Sequence, residues 1–199
     1  MLQTKNLAIA LLGVALACGS ALAQEYNHSE VSVQAFGSFV STTTDNGVQQ
    51  SATNSGGVLA NYRYFFTPSN GVEVNYGYSL STQNYGLVTG PLGVKADQHE
   101  FSAEYVFRHK MHGFTPFVEA GAGGLLFDPR DTSFGASTQT RAALVYGAGV
   151  DIDLSSHFFL RAEYRGFVYD SPTFGLAAVE GTDRITHRAE PSVGFGYRF

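Results

Sequence analysis

The stretch GVEVNYGYSLST, residues 71–82, alternates strictly between two kinds of side chain. Successive side chains of a β-strand point to opposite faces of the sheet, so a period of two marks a strand between two different environments. One face carries only bulky apolar or aromatic residues, namely Val72, Val74, Tyr76, Tyr78 and Leu80. The other face carries polar or small residues, namely Glu73, Asn75, Gly77, Ser79 and Ser81. These residues therefore predict a strand with one apolar face and one polar face.

Seven further segments repeat this alternation along the chain. They are residues 31–39, 58–66, 100–108, 114–127, 141–153, 158–165 and 192–199. Short links rich in turn-forming residues alternate with long polar links. The short links are at 67–71, 109–113 and 154–157, and the long ones at 42–55, 83–97, 128–139 and 169–186. This is the plan of an up-and-down barrel that crosses a bacterial membrane, with both termini on the side of the short turns.

The bulky side chains decide which way the two faces point. An eight-stranded barrel encloses a space only just wide enough for side chains. A row of Tyr, Phe and Val from every strand would not fit inside it, so the apolar face must contact lipid. The sequence therefore predicts an all-β fold, an eight-stranded antiparallel up-and-down transmembrane β-barrel. The alternatives are a soluble lipocalin-like barrel and a two-sheet sandwich, in which the apolar face lies inside.

The charged residues of the strands fall on the face that this arrangement turns inward. On the lipid face a charge would cost about 2–4 kcal/mol near the bilayer midplane, and a buried carboxylate needs a partner. We therefore predict ion pairs between neighbouring strands inside the barrel. They would form among Arg63, Glu73, Glu100, Glu104, Arg108, Arg161, Glu163, Arg165 and Arg198. An interior filled in this way predicts that there is no large pore.

Two strands are less regular because Gly and Ala occupy much of both faces. For 114–127 we favour Val118 outward and Glu119 inward, and for 141–153 we favour Leu144 outward and Asp151 inward. Aromatic residues cluster near strand ends, which is typical of the girdles at membrane interfaces. The predicted girdle residues are Tyr62, Tyr64, Phe65, Phe66, Phe114, Phe117, Phe158 and Phe159.

The composition agrees with a barrel and excludes several other classes. Charged residues make up 15% of the 199 residues, whereas Gly, Phe and Tyr number 23, 16 and 11. Low charge with many aromatic residues argues against disorder. So many glycines argue against a helical bundle, because each costs about 1 kcal/mol in a helix interior. The net charge of −5 gives no electrostatic reason to bind nucleic acid.

The first residues predict export from the cytoplasm. Lys5 supplies a positive charge, residues 7–17 form an apolar run, and Ala21–Ala23 is an A-x-A cleavage site. The run is too short for a spanning helix, which needs roughly 20 residues. We expect residues 1–23 to be a cleaved signal peptide and residues 24–199 to form the mature barrel domain. The alternative is lipidation of Cys18, although Ala15 stands where lipidation sites usually have Leu.

Three segments carry a family resemblance: YRYFFTP at 62–68, GVEVNYGYS at 71–79 and the Gly/Ala-rich PFVEAGAG at 116–123. With them the chain resembles the small outer-membrane β-barrels of the OmpA transmembrane-domain and OmpX type over nearly all of residues 30–199. The resemblance implies a location in the bacterial outer membrane and contact with outer-membrane lipid. It also implies a monomer whose loops would carry any extracellular ligand.

The last eight residues, SVGFGYRF at 192–199, match the assembly signal of this family. Ser192, Gly194, Tyr197 and Phe199 take its polar, glycine and two aromatic positions. The match implies that the barrel-assembly machinery recognises this strand. Because no residues follow Phe199, we expect no peptidoglycan-binding domain and carry over no cell-wall role.

Catalytic chemistry finds little support in the sequence. Some small barrels modify lipid A, and the deacylases among them use a late His-x-Ser pair. Here Ser171 has no His beside it to act as a base, and His109 and His112 lack further metal ligands at a suitable spacing. We therefore expect no catalytic, cofactor or metal site, and a non-enzymatic role in envelope integrity or surface interaction. A lipid A-modifying enzyme and a narrow channel for small solutes are the alternatives.

Overall fold

The computed structural model describes residues 28–45, 48–87, 90–131, 135–176 and 185–199. The predicted signal peptide at residues 1–23, with the alternative lipidation site Cys18, lies outside these described residues. No helix in the described ranges is long and apolar enough to cross a membrane.

Ten β-strands make up the described chain. They are β1 (Ser29–Val40), β2 (Thr43–Asp45), β3 (Val48–Ala52), β4 (Ser55–Phe65), β5 (Asn70–Leu87), β6 (Gly90–Arg108), β7 (Phe114–Pro129), β8 (Gln139–Asp153), β9 (Phe158–Asp170) and β10 (Ile185–Arg198). β1 and β4 to β10 have between 11 and 19 residues. A membrane-spanning strand needs about 9–11 residues, so each of these eight is long enough to cross the bilayer.

The eight long strands close into a barrel. All of the pairings are antiparallel, and β1 pairs with both β4 and β10, which joins the two ends of the sheet. Closure gives each of these eight strands a neighbour on both sides. It leaves no sheet edge in the bilayer, where an unpaired backbone group finds no water. The predicted all-β, eight-stranded antiparallel up-and-down architecture is confirmed.

The two faces of the wall differ as the alternation predicts. Val33, Val58, Val74, Phe101, Leu144 and Phe195 point outward and are between 52% and 67% exposed. Their neighbours Ser32, Gln34, Asn61, Asn75 and Ser192 point inward and are buried. In the two Gly/Ala-rich strands, Val118 and Leu144 face outward while Glu119 and Asp151 are buried inside, as expected.

The long polar link expected at residues 83–97 is wrong, because this stretch is mostly strand. β5 and β6 pair continuously from Asn70 opposite Phe107 to Leu87 opposite Gly90. Alternation continues through the polar sequence, with Gln83 and Tyr85 buried on the inner side. The link expected at 42–55 likewise contains β2 and β3, and β3 pairs with β5 beyond the end of β4. We call residues 81–87 and 90–96 the tall hairpin, since they extend past the ends of the strands on either side, β4 and β7.

The seam between β1 and β10 has one interruption. The ladder pairs Phe36 with Ser192 and resumes at Phe39 with Ala189. Pro191 lies in the gap, and proline has no N–H to donate to a ladder. A shallow cavity of about 320 Å³ lies here, lined by Ala35, Phe36, Gly37, Pro191, Ser192 and Val193.

Several strand glycines make room for a large side chain of the neighbouring strand. The Phe117 ring lies over Gly149, so a Cβ at Gly149 would overlap the ring. That Cβ would also lie 2.7 Å from the carbonyl oxygen of Ala162. Gly124 has open surroundings, since the nearest atom to an added Cβ would be Thr140 Cγ2 at 3.9 Å.

We therefore expect Gly149→Ala to destabilise the barrel and Gly124→Ala to be tolerated. Overpacking typically costs about 1–3 kcal/mol, so Gly149→Ala should lower the free energy of unfolding by roughly that amount. The measurement is urea unfolding in lipid vesicles, followed by the gel mobility of unboiled samples. Equal stability of the two variants would contradict the close packing of Phe117 on Gly149.

Candidate functional site

The barrel interior at the end of the short turns is filled by a network of buried ion pairs. Arg161 lies at its centre and donates to three carboxylates from three other strands. Its distances are 2.6 Å to Asp151 Oδ1, 3.2 Å to Glu30 Oε2 and 3.4 Å to Glu73 Oε2. We call this group the turn-side network. Its members are Glu30, Arg63, Glu73, Arg108, Asp151, Asp153, Arg161 and Arg198.

Aromatic rings support the guanidiniums of this network. The Arg108 guanidinium lies 3.2 Å from the centroid of the Phe65 ring. Phe117 lies under Arg63 at 4.2 Å, and Phe159 under Arg198 at 4.4 Å. The predicted girdle is therefore wrong for Phe65, Phe117 and Phe159, whose side chains are buried inside the barrel. A guanidinium over an aromatic face gains a cation–π attraction in addition to its hydrogen bonds.

A second network lies nearer the long loops. Arg165 contacts Glu100 and Glu190, and Arg188 contacts Glu100 and, at 2.8 Å, Glu190. The Phe167 ring lies 4.2 Å from the Arg188 guanidinium. We call Glu100, Arg165, Arg188 and Glu190 the loop-side network. It contains two cations and two anions, so its charges balance.

Three more carboxylates lie between the two networks, and we call Glu104, Glu119 and Glu163 the central carboxylates. Glu119 Oε2 accepts from Arg63 Nη2 at 3.2 Å, and Glu163 Oε2 accepts from Gln34 Nε2 at 3.1 Å. Glu104 accepts from Asn75 Nδ2 at 2.6 Å. All three are at most 5% exposed.

The structure buries all nine residues predicted for interior ion pairs, and eight of them lie within ion-pair distance of an opposite charge. Within the described ranges Glu104 is the exception, because its contact is with the neutral amide of Asn75. The weakest of the eight is Glu163, whose carboxylate lies 3.7 Å from Arg165 Nε on its own strand.

Sequence reasoning missed Glu30, Arg188 and Glu190 as members of the networks. Glu30 continues the inward set of Ser32 and Gln34 by one step, so extending the alternation would have found it. Arg188 and Glu190 continue the inward set of β10, but Pro191 interrupts the strand pattern and obscures them.

A cluster of apolar side chains closes the barrel at the end of the long loops. It consists of Tyr85, Val94, Ala96, Leu125, Phe127, Ala136, Ala143, Val145, Phe167, Tyr169, Phe174 and Leu176. We call it the mouth cluster. Phe174 reaches the cluster from a loop and is fully buried. Its ring packs edge-to-face with that of Phe127, and the two ring centroids are 6.3 Å apart. Its φ of 54° is unusual for a residue with a side chain, so burial of the ring outweighs some backbone strain.

Hydrogen bonds hold this loop over the mouth. The carbonyl oxygen of Pro172 accepts from Tyr85 Oη at 2.7 Å and from Gln50 Nε2 at 2.8 Å. The backbone N–H and the hydroxyl of Ser137 both donate to the carbonyl oxygen of Phe174. Burial raises the pKa of the Tyr85 hydroxyl, which therefore remains a donor.

The four residues of the predicted assembly signal lie at the closing seam. Ser192 donates to Gln34 Oε1 on β1 at 2.9 Å, and Gly194 lies so close to Val33 that a Cβ would overlap its carbonyl oxygen. Tyr197 stacks on Phe199 at 6.2 Å. The described structure thus places them against the first strand of the barrel.

An apolar outer wall, a closed ring of eight strands and an interior filled with ion pairs define a small β-barrel of the bacterial outer membrane. The chain belongs to the outer membrane protein beta-barrel domain family, whose sequence model matches residues 9–199. Its location is therefore the bacterial outer membrane, as predicted. The short turns accordingly face the periplasm and the long loops face the outside of the cell.

Solved structures of several outer-membrane barrels share this fold. Neisserial surface protein A is 15% identical with a TM-score of 0.63, and the match covers 88% of this chain and 100% of that one. OprG from Pseudomonas aeruginosa is 14% identical with a TM-score of 0.61 over 88% and 97% of the two chains. Ail, the attachment invasion locus protein of Yersinia pestis, is 19% identical with a TM-score of 0.55 over 88% and 100%. No curated protein matches the sequence.

We expect Arg161→Met to be strongly destabilising, because it leaves Glu30, Glu73 and Asp151 short of a cation. Removing one partner of a buried ion pair typically costs about 3–5 kcal/mol. Arg130→Met is the matched control, since Arg130 is 47% exposed in its pair with Asp97 and solvent screens such pairs. Urea unfolding in lipid vesicles should show a large loss for the first variant and no measurable change for the second. A similar loss for both would contradict the importance of the turn-side network.

Proposed function

We propose that the protein is a sealed, non-enzymatic outer-membrane barrel that presents a surface for interactions outside the cell. The tall hairpin is the observation that carries this proposal. β5 has 18 residues, so at about 3.3 Å per residue it is roughly 60 Å long. With the usual barrel tilt of about 35–45° it rises roughly 45 Å along the membrane normal. The hydrocarbon core of a bilayer is only about 30 Å thick. The hairpin therefore extends beyond the hydrocarbon core on the side of the long loops.

The inner face of the tall hairpin is anchored to the barrel mouth almost as far as its tip. Tyr85, Val94 and Ala96 point into the mouth cluster and are almost fully buried. Along the free edge of β5, β3 pairs with residues 83–86 and so adds a further strand to the width of the sheet. A rigid, wide sheet above the membrane can hold a partner with little loss of conformational freedom on binding.

The filled interior supports a sealed barrel. The turn-side network, the loop-side network and the mouth cluster follow one another from the periplasmic to the extracellular end. Each contributes fully buried side chains of large volume, including Arg63, Arg165 and Phe174. A continuous water path would require these groups to move apart.

The surroundings of Ser171 support a non-enzymatic role. Ser171 is buried beside Pro172 in the loop that closes the mouth. The two histidines of the outer wall are engaged by tyrosines, with His99 Nδ1 2.9 Å from Tyr76 Oη and His187 Nε2 2.8 Å from Tyr146 Oη. Both histidines lie on the outer face of the wall, whereas the Ser171 side chain is buried.

A sealed interior predicts that the purified protein does not conduct ions. In planar bilayers we expect no steady current above background, whereas an open porin in the same bilayer provides the positive control. Stepwise conductance comparable with that of the porin would contradict the proposal and favour the narrow-channel alternative.

Shortening the tall hairpin tests the surface role directly. Leu80 and Asp97 face each other across β5 and β6, so replacing residues 81–96 with Asn-Gly keeps the register and removes the hairpin. A Gram-negative host that expresses the intact protein should attach better to coated surfaces than the empty host. The surfaces would be coated with extracellular-matrix proteins or with heparin. Heparin is chosen because Ail has been crystallised with a heparin analogue. We expect the shortened variant to lose the gain.

Two controls complete this experiment. An unboiled gel shows whether the shortened barrel has closed, and growth in detergent reports envelope integrity. Full attachment by a closed, shortened variant would rule out the hairpin as the interaction surface. A loss of detergent resistance without a change in attachment would favour an envelope role for the protein instead.

A further inference from the structure

The buried charges of the barrel do not balance. The described buried side chains include eight carboxyl groups and six guanidiniums. The carboxyl groups are Glu30, Glu73, Glu100, Glu104, Glu119, Asp151, Glu163 and Glu190, and the guanidiniums are Arg63, Arg108, Arg161, Arg165, Arg188 and Arg198. If all of them were ionised, the interior would hold two surplus negative charges. An uncompensated buried charge is so costly that the group takes up a proton or a counter-ion instead.

The surplus lies among the central carboxylates. The loop-side network is balanced. The turn-side network has four arginines for its three buried carboxylates, Glu30, Glu73 and Asp151, because its fourth acid, Asp153, is exposed to solvent. Glu119 takes part through Arg63. Among the described residues that leaves Glu104, whose carboxylate accepts from the Asn75 amide and has no arginine within ion-pair distance, and Glu163, which has the Gln34 amide and a distant Arg165.

Glu119 and Glu163 approach each other inside the barrel. Together with Glu73 they offer oxygen atoms that all lie within 4.8 Å of one another. The Oε1 atoms of Glu119 and Glu163 are buried and have no hydrogen-bond donor. Two carboxylates at such a distance do not both ionise readily, and a proton on one of them is the donor that the other lacks.

Glu104 is placed unfavourably for an ionised group. It lies directly opposite Glu73 on the neighbouring strand, and like charges opposite each other destabilise a sheet. Its Oε1 atom is buried without a donor, and so is Oδ1 of the adjacent Asn75. On the other side it faces Gly121, which has no side chain.

We propose that the middle of the barrel is a proton-binding site that holds two protons at neutral pH, one on Glu104 and one shared between Glu119 and Glu163. The charged groups that face this site are Arg63 from β4, Glu73 from β5, and Arg161 and Arg165 from β9. Glu100 from β6 and Asp151 from β8 are paired with arginines in the two adjoining networks. β1 and β10 contribute the neutral side chains of Gln34 and Ser192.

The proposal fixes how stability depends on pH. An unfolded Glu loses its proton near pH 4.3, so above that value the native barrel binds two protons more than the unfolded chain. Stability then falls as pH rises, until the native state releases the protons. For each proton that the native barrel retains and the unfolded chain has lost, the unfolding equilibrium constant increases by up to tenfold for every unit by which the pH rises.

Infrared spectroscopy of the full barrel in lipid vesicles tests the proton directly. A protonated carboxyl group has a C=O stretch above the amide I band, which an ionised carboxylate lacks. We expect this band at pH 7. Glu104→Gln should remove one part of it and Glu163→Gln another part, whereas Glu100→Gln, which changes an arginine-paired carboxylate, should leave it intact. Absence of the band, or a band that the first two variants do not affect, overturns the proposal.

Urea unfolding between about pH 5 and pH 8 provides the second readout. In the wild type the unfolding equilibrium constant should rise with pH. Glu104→Gln and Glu163→Gln should each reduce this rise by up to tenfold per pH unit, and the double variant should remove most of it. Glu104→Gln should be at least as stable as the wild type at pH 8, because glutamine is neutral. Glu100→Gln should be much less stable, because it strands Arg165 and Arg188. Equal losses for Glu100→Gln and Glu104→Gln would show that Glu104 is ionised and paired.

A bound divalent cation is the rival explanation of the surplus. It predicts no carboxyl band at pH 7, together with calcium or magnesium that co-purifies and that a chelator removes with loss of stability. That combination overturns the proposal, whereas stability unchanged by the chelator, with the band present, supports it. The unboiled gel confirms that each variant has closed before it is compared.

Discussion

The pairing of β1 with β10 is the contact on which the rest of the molecule depends. In a bilayer each backbone N–H and C=O must find its partner within the sheet, so a barrel that fails to close has no stable form there. Closing with only eight strands also leaves a narrow lumen. The inward positions must therefore be filled by side chains that interlock, which is why the Phe117 ring lies over Gly149 and the Phe159 ring over Gly196.

The narrow lumen also explains why the buried cations are arginines. A guanidinium is flat, so it can stack on a phenylalanine ring with one face and donate to several carboxylates from its edge. Arg108 stacks on Phe65 and donates to Glu30 in this way. A lysine ammonium offers no flat face for stacking, and the described lysines, Lys95 and Lys110, are on the exposed surface. The interior thus uses the aromatic residues that a lipid-facing girdle would also use.

Period-two alternation predicted the strands and their faces because it is a local property of the chain. The sequence also predicted that Arg63 and Glu163 point inward, because a charged side chain that faces lipid is so unfavourable. The alternation also places Phe65 on the inward face with Arg63 and Phe117 with Glu119, so assigning these rings to the lipid-facing girdle went against it. What the sequence could not show is that each ring stacks on a guanidinium from another strand. Nor could it separate Glu104 from the other acids, since that depends on which side chains reach it across the lumen. The tall hairpin was hidden because strands above the lipid need no apolar face.

The continuous pairing of β5 with β6 has a mechanical consequence for the tall hairpin. A load applied at its tip, near Leu87 and Gly90, pulls both strands in the same direction, along their own axes. The hydrogen bonds that join β5 to β4 and β6 to β7 are then loaded in shear, so many of them must break together. A load across the sheet would instead open such bonds one after another. The hairpin is therefore built to resist tension that pulls along its strands, away from the cell.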